Sequence, residues 1–189
     1  MTTVPFVDFK AHGRGMRGEI DAALARVLDS GWFILGPEGE AFERELAGWL
    51  GAREVVAVAN GTEAIQLALE GLGIGEGDEV VTSPLTAAFT ALAVMRAGAR
   101  PVFADLHPKT LNVPPEAVAA AVTPRTKAIL PVHLYGHPAD LDPLLALGRE
   151  RGVAVIEDAC QAIGATYKGR RVGALSGIGA LSFYPTKNL

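Results

Sequence analysis

The chain has 189 residues, 49% hydrophobic and 20% charged, which suffices for one well-filled globular domain. A formal net charge of -4, with lysines and arginines scattered, leaves no electrostatic basis for binding nucleic acid or an anionic membrane surface. One cysteine, Cys160, excludes an internal disulfide and fits a reducing compartment. Met1–Asp8 shows no basic and apolar leader, and no apolar run reaches membrane-spanning length, so the expected location is the cytoplasm.

Residues up to Arg14 show no clear period. From Met16 to Ser30, Ile20, Ala23, Leu24, Val27 and Leu28 recur at three- and four-residue spacing, an amphipathic helix ending near Gly31. Trp32–Pro37 is an apolar loop, read as packing. Glu38–Leu50 is a second helix with Phe42, Leu46, Trp49 and Leu50 on one face.

After Gly51 the rhythm changes to strand, turn, helix. Strands are predicted at Val55–Ala59, Glu79–Thr82, Pro101–Ala104, Lys127–His133, Val153–Ile156 and Ala180–Phe183. Helices are predicted at Gly61–Leu72, Thr86–Ala97, Pro114–Val122 and Ala139–Arg151. The Thr86–Ala97 helix is nearly all apolar, so burial on several sides is expected. Apolar strands alternating with helices predict an α/β domain, a mostly parallel sheet covered on both faces. Lys168–Arg171 reads as a solvated turn.

Three stretches carry chemistry. Asn60-Gly61-Thr62-Glu63 joins a predicted strand to a helix. Open amides and the positive dipole end there can bind a phosphate, with Gly61 admitting the anion and Thr62 adding a hydroxyl; the plainer reading is a helix cap made by Thr62. It is neither a Walker loop nor a Gly-x-Gly-x-x-Gly fingerprint. Asp158 ends an apolar strand, where open α/β sheets place ligands, and a carboxylate there can keep a pyridine nitrogen protonated. The alternative is an acid that caps the next turn, a role that suits its neighbour Glu157 better. Lys187 follows the last strand on a connector stiffened by Pro185, placed either as a solvated loop charge or as an amine that bonds a carbonyl. Carbonyl trap, phosphate cradle and carboxylate are together the set that pyridoxal phosphate requires. Cys160 reads as a small buried residue and His133 as structural. His12, His107 and His137 lack metal-ligand spacing.

These motifs, taken in order, resemble one family. Asn60–Ala64, Val132-His-Leu-Tyr-Gly136, Glu157–Ala165 and Ser182–Leu189 look like successive signatures of the DegT/DnrJ/EryC1/StrS aminotransferases. Val4–Asp8 and Gly36–Glu45 are similar to its opening. The resemblance implies a pyridoxal-phosphate enzyme of aspartate-aminotransferase-like fold (fold type I), a cytoplasmic homodimer. Such an enzyme moves an amino group, usually from glutamate, to the keto group of a nucleotide-linked sugar. It implies Lys187 as the Schiff-base lysine, Asp158 on the pyridine nitrogen and Gln161 on the ring hydroxyl, with Gly61, Thr62, Glu63 and Ser182 on the phosphate. Related dehydratases carry His at the position of Lys187.

Two departures from the family pattern stand out. Where members place a ring-stacking aromatic after a Thr, this chain has Thr86-Ala87, with Phe89 nearby. Members also continue well past the lysine, so residues 1–189 correspond to the N-terminal part of the large, cofactor-binding domain, incomplete at its C-terminal end. The competing expectations are a truncated, catalytically silent fragment of such an enzyme, and another fold type I enzyme such as a desulfurase or aldolase.

Overall fold

The computed structural model describes Val4 and residues 7–187, without the side chain of His12. Pro5 and Phe6 of the opening motif, and Asn188 and Leu189 of the closing one, lie outside the described residues. The chain divides into two compact units: residues to Trp49 with Arg53–Ala57, and Leu50–Ala52 with residues from Val58 onward.

The first unit is helical. Helix α1 (Phe9–Gly15) falls in the stretch where no period was read, and Asp8 caps it by accepting from the Ala11 amide at 2.9 Å. Helices α2 (Arg17–Ser30) and α3 (Pro37–Leu50) agree with the predicted pair. Gly31 ends α2 at a φ of 64°, a left-handed position that favours glycine. Arg26 grips Glu38 through two bonds of 2.6 and 2.8 Å, tying α2 to the start of α3. The apolar stripe of α2 is on one face as read, yet none of its residues is buried. Periodicity identifies an apolar face without identifying what covers it.

The second unit carries the sheet. Strands β1 (Glu79–Thr82), β2 (Arg100–Phe103), β3 (Thr126–Leu130) and β4 (Ala154–Val155) pair in the order β2-β1-β3-β4, all parallel. After Ile156 the same run continues as β5 (Glu157–Asp158), which pairs in parallel with β8 (Gly179–Ala180). Amide bonds from Ile156 to Ile129, Asp158 to Pro131 and His133 to Asp158 keep that run attached to the extension of β3. Adjacent residues face opposite ways, so each strand feeds two cores. Val80, Ala128, Leu130 and Ile156 pack with Ile65, Leu69, Ala93 and Val94 from α4 (Gly61–Gly71) and α5 (Phe89–Arg96). Val81, Ile129 and Val155 pack on the other face with Val118, Leu144 and Leu147 from α6 (Pro115–Ala121) and α7 (Leu141–Arg151). This is the two-faced parallel α/β architecture that the sequence pattern predicts.

Two local expectations are corrected, and the solvated turn at Lys168–Arg171 is seen in more detail. Val55–Ala59 forms no strand: an apolar run becomes one only when a neighbouring backbone completes its ladder, and no described segment does so, leaving Val56 76% exposed. Helix α5 buries Thr90, Ala93 and Val94 but leaves Phe89 and Met95 out, so its covering is one-sided. Lys168–Gly169 turns a small antiparallel hairpin, β6 (Thr166–Tyr167) and β7 (Arg170–Arg171), with both turn residues at positive φ. That hairpin is docked on α7 by Lys168 to Asp142 and by Tyr167 to Asp140. Among the described residues no helix is long and apolar enough to cross a membrane.

At the amino ends of the strands, Glu79 joins three segments. Its buried carboxylate accepts from Thr123 at 2.6 Å, Arg100 at 2.5 Å and Arg125 at 2.8 Å. The Thr123 hydroxyl and the Arg100 and Arg125 guanidinium groups outweigh its desolvation and lower its pKa from 4.5 to about 2. A carboxyl lowered on folding contributes stability that is present above its unfolded value and is lost as pH falls toward its folded one. The thermal midpoint should therefore drop as pH falls from 4.5 to about 2. In Glu79→Gln that part of the pH–midpoint curve should flatten, which differential scanning calorimetry would measure.

Candidate active site

The parallel strands all point their carboxyl ends one way, and the residues singled out from the sequence gather at that edge. Asp158 closes β5, and the segment after β8 carries Ser182 and then Lys187. Between them α4 begins. Its cap is Asn60, not Thr62: the Asn60 side chain accepts from the Glu63 amide at 2.9 Å, while the Glu63 carboxylate accepts from the Ala59 amide at 2.9 Å. This reciprocal pair resembles a capping box with Asn in the cap position, except that the Glu63 carboxylate reaches the amide of the residue before the cap. The cap therefore engages both polar groups of Glu63 and leaves the Gly61 and Thr62 amides, which have no acceptor inside the helix, facing outward from its positive end.

Gly61 is required by contact. A Cβ there would lie 2.6 Å from Cys160 Sγ and 3.4 Å from the Ser182 Cβ. The helix start is thus pressed directly onto the residue two past Asp158 and onto the strand that leads to Lys187. Cys160 is largely buried; burial first, then the charge of Asp158 and a bond to it, push its thiol well above the ordinary range, with Lys187 pulling the other way. A thiol held protonated is packing material rather than a nucleophile, as the sequence suggested.

Asp158 is 5% exposed and both its oxygens are occupied. Oδ1 accepts from the Cys160 amide at 3.1 Å and Oδ2 from the Thr90 hydroxyl at 2.7 Å. The turn after β5 is therefore capped by Asp158 itself. Glu157 serves a different loop, accepting from the amides of Gly173 and Ser176, each at 2.7 Å, and bonding His133 Nε2 at 3.1 Å. His133 Nδ1 accepts from the Ala139 amide, so its hydrogen sits on Nε2 and is donated to Glu157. Burial alone would raise the Glu157 carboxyl, but His133 and the two amides outweigh it and hold it below the ordinary range. His133 is completely buried and structural, as read from the sequence.

Gln161 accepts from the Tyr135 amide at 3.2 Å through Oε1, which leaves its NH2 group to donate elsewhere. Tyr135 is held at a φ of 53°. Ser182 lies against α4, and its hydroxyl takes a long bond from the Tyr184 amide. Ala87 offers no ring, and Phe89 is 62% exposed at the start of α5. Thr90, unnoticed in the sequence, touches Asp158 directly; the available signal was a hydroxyl on the buried face of a nearly all-apolar helix. Among the described residues no cluster of three or more His, Cys, Asp or Glu side chains could hold a metal ion.

The fold is an open, mostly parallel α/β sheet with a helix start, a buried acid and a lysine-bearing segment following its strands, and open sheets of this class place ligands at the carboxyl ends of their strands. Family comparison narrows this: a family description, the DegT/DnrJ/EryC1/StrS aminotransferase family, matches residues 15–189, and the chain belongs to that family. It is 53% identical over 186 residues to dTDP-3-amino-3,4,6-trideoxy-alpha-D-glucose transaminase of Streptomyces venezuelae, covering 98% of this chain and 49% of that protein. The crystal structure of S. venezuelae DesV in complex with a ketimine intermediate superposes with a TM-score of 0.97 at 52% identity, covering 100% of this chain and 51% of that one. The structure of NtdA from Bacillus subtilis with bound cofactor PMP gives a TM-score of 0.91 at 37% identity, covering 100% and 43%. The chain spans about half the length of the curated relatives it matches.

The close packing at Gly61 yields a test. Gly61→Ala should destabilise the protein by about 1–3 kcal/mol, the usual cost of overpacking, read as a lower urea midpoint. Adding Cys160→Ala should recover most of that loss, because the 2.6 Å contact disappears and only an ordinary one remains.

Proposed function

We propose that this chain is the cofactor-binding portion of a pyridoxal-phosphate-dependent aminotransferase. In this reading residues 1–189 are the N-terminal part of its large domain. The amino donor is glutamate and the acceptor a keto group on a nucleotide-linked sugar, in a cytoplasmic homodimer. The observation that carries the reading is the packing of the α4 start directly against Cys160, two residues past Asp158, and Ser182, five residues before Lys187.

The residues present fit the cofactor. Gly61 keeps a Cβ out of the space between α4 and the strand ends, and the two outward amides with the Thr62 hydroxyl form a phosphate-binding start. Ser182, packed beside Gly61, adds a hydroxyl to that shell. Glu63 serves it indirectly by locking the cap, so that the Gly61 and Thr62 amides keep their direction. Asp158 would accept the hydrogen of the pyridine nitrogen, and the free NH2 of Gln161 would donate to the ring hydroxyl. Bound cofactor supplies an electron-withdrawing ring that stabilises the charge left when a proton leaves the substrate carbon. Lys187 Nζ would hold the cofactor by bonding its aldehyde carbon, with loss of water, in the absence of substrate. Once displaced by a substrate amine, that Nζ moves the proton between the substrate and cofactor carbons. The NtdA structure with PMP and the DesV structure support this assignment, and the S. venezuelae transaminase supports a nucleotide-linked sugar as acceptor.

A visible spectrum of the purified chain with added pyridoxal phosphate tests the reading. A yellow absorbance band is expected, trapped by borohydride on a peptide containing Lys187, bleached by glutamate and absent in Lys187→Ala. A folded sample that gives no band would instead favour the silent fragment, with the chemistry confined to a longer protein.

A further inference from the structure

The proposal rests on the cofactor reading and concerns a residue that plays no part in it. Thr90 and Asp158 are 68 positions apart in sequence, yet Thr90 Oγ1 donates to Asp158 Oδ2 at 2.7 Å, both residues almost fully buried. A hydroxyl has one hydrogen, and that of Thr90 is committed to the carboxylate. At the 2.8 Å contact between the Thr86 and Thr90 hydroxyls, Thr86 must therefore donate and Thr90 accept. The result is a directed chain, Thr86 to Thr90 to Asp158, its first two members four positions apart. Thr90 lies on the face of α5 that also buries Ala93 and Val94 against the sheet, so its side chain has a fixed seat.

The other carboxylate oxygen is held by the Cys160 amide. Both oxygens are therefore pinned, and rotation of the carboxylate about its own bond is blocked from two sides by groups on different elements. A carboxylate that must meet a ring nitrogen gains from such anchoring, because a misdirected acceptor loses most of a hydrogen bond once its angle departs far from linear. Threonine in an otherwise apolar helix has no packing rationale that valine would not meet equally well, since the two have almost the same shape.

We infer that Thr90, steadied by Thr86, is a positioning residue that aims the Asp158 carboxylate at the pyridine nitrogen of the cofactor. Its contribution is directional: it does not touch the cofactor's phosphate or aldehyde. It should accordingly matter for ligands that carry the ring nitrogen and not for those that lack it.

The experiment measures dissociation constants of the 189-residue chain for pyridoxal phosphate and for its 1-deaza analogue, in which carbon replaces the ring nitrogen. Thr90→Val should weaken pyridoxal phosphate about tenfold, the size of one hydrogen bond to a charged group, while changing the deaza analogue by less than about twofold. Thr90→Ser, which keeps the hydroxyl, should bind both within about twofold of the parent, and Thr86→Val should lose about threefold for pyridoxal phosphate alone. A urea midpoint for each cofactor-free variant separates folding from aiming. Equal losses for both ligands, or none in a folded Thr90→Val chain, would overturn the inference. So would failure of serine to rescue. If Thr90→Val does not fold, the Thr86→Val and Thr90→Ser ratios decide it by the same comparison. A parent chain that binds neither ligand would reject the cofactor reading itself, and this inference with it, whereas a parent that binds both with no ring-nitrogen dependence in the variants would reject the inference alone.

Discussion

The rest of the site depends on how closely the first residue of α4 approaches the end of the sheet. A Cβ at Gly61 would stand 2.6 Å from the sulfur of Cys160. Without that Cβ, three elements far apart in sequence meet: the α4 start, the turn after β5, and the segment leading from β8 to Lys187. Each brings one kind of chemistry. The helix brings open amides at a positive dipole end, the turn brings a carboxylate, and the last segment brings an amine. Cys160 is the spacer among them, and its raised thiol reflects both its burial and its closeness to Asp158.

Around this meeting point, buried polar groups are satisfied by partners from distant parts of the chain. Glu157 and Asp158 are neighbours facing opposite ways, as adjacent strand residues must, and they serve different purposes. Glu157 fastens the Gly173–Ser176 loop and His133 into the interior. Asp158 is held by Thr90 and the Cys160 amide at the carboxyl edge of the sheet. A buried carboxylate tolerates removal from water only when donors replace the water, and both acids meet that condition with two or more donors each. At the opposite end of the sheet Glu79 does the same with two arginines and Thr123, so the strand starts are pinned as firmly as the site.

Several large apolar side chains are exposed among the described residues. Helix α2 buries none of its residues, α5 leaves Phe89, Leu92 and Met95 outside, and the Val55–Ala59 run lacks a ladder. The chain also spans about half of its curated relatives.

Much of the fold was legible from residue order because the code involved is local. Alternating strand faces such as Val80/Val81 and the turn from Gly31 depend on neighbours within a few positions, and the motifs at Asn60–Ala64 and Glu157–Ala165 carried the family resemblance. What residue order could not supply were relations set by long-range geometry. That Asn60 rather than Thr62 caps α4 depends on which side chain can reach the Glu63 amide. That Glu157 serves residues 16 and 19 positions away, and that Thr90 reaches Asp158 across 68, depends on how the strands stack helices over their ends. That Val55–Ala59 is not a strand depends on the absence of a described partner for its backbone. The sequence by itself determined the family motifs and which face of each helix is apolar; only the tertiary structure decided which groups meet, because hydrogen bonds are made by distance and direction, not by order along the chain.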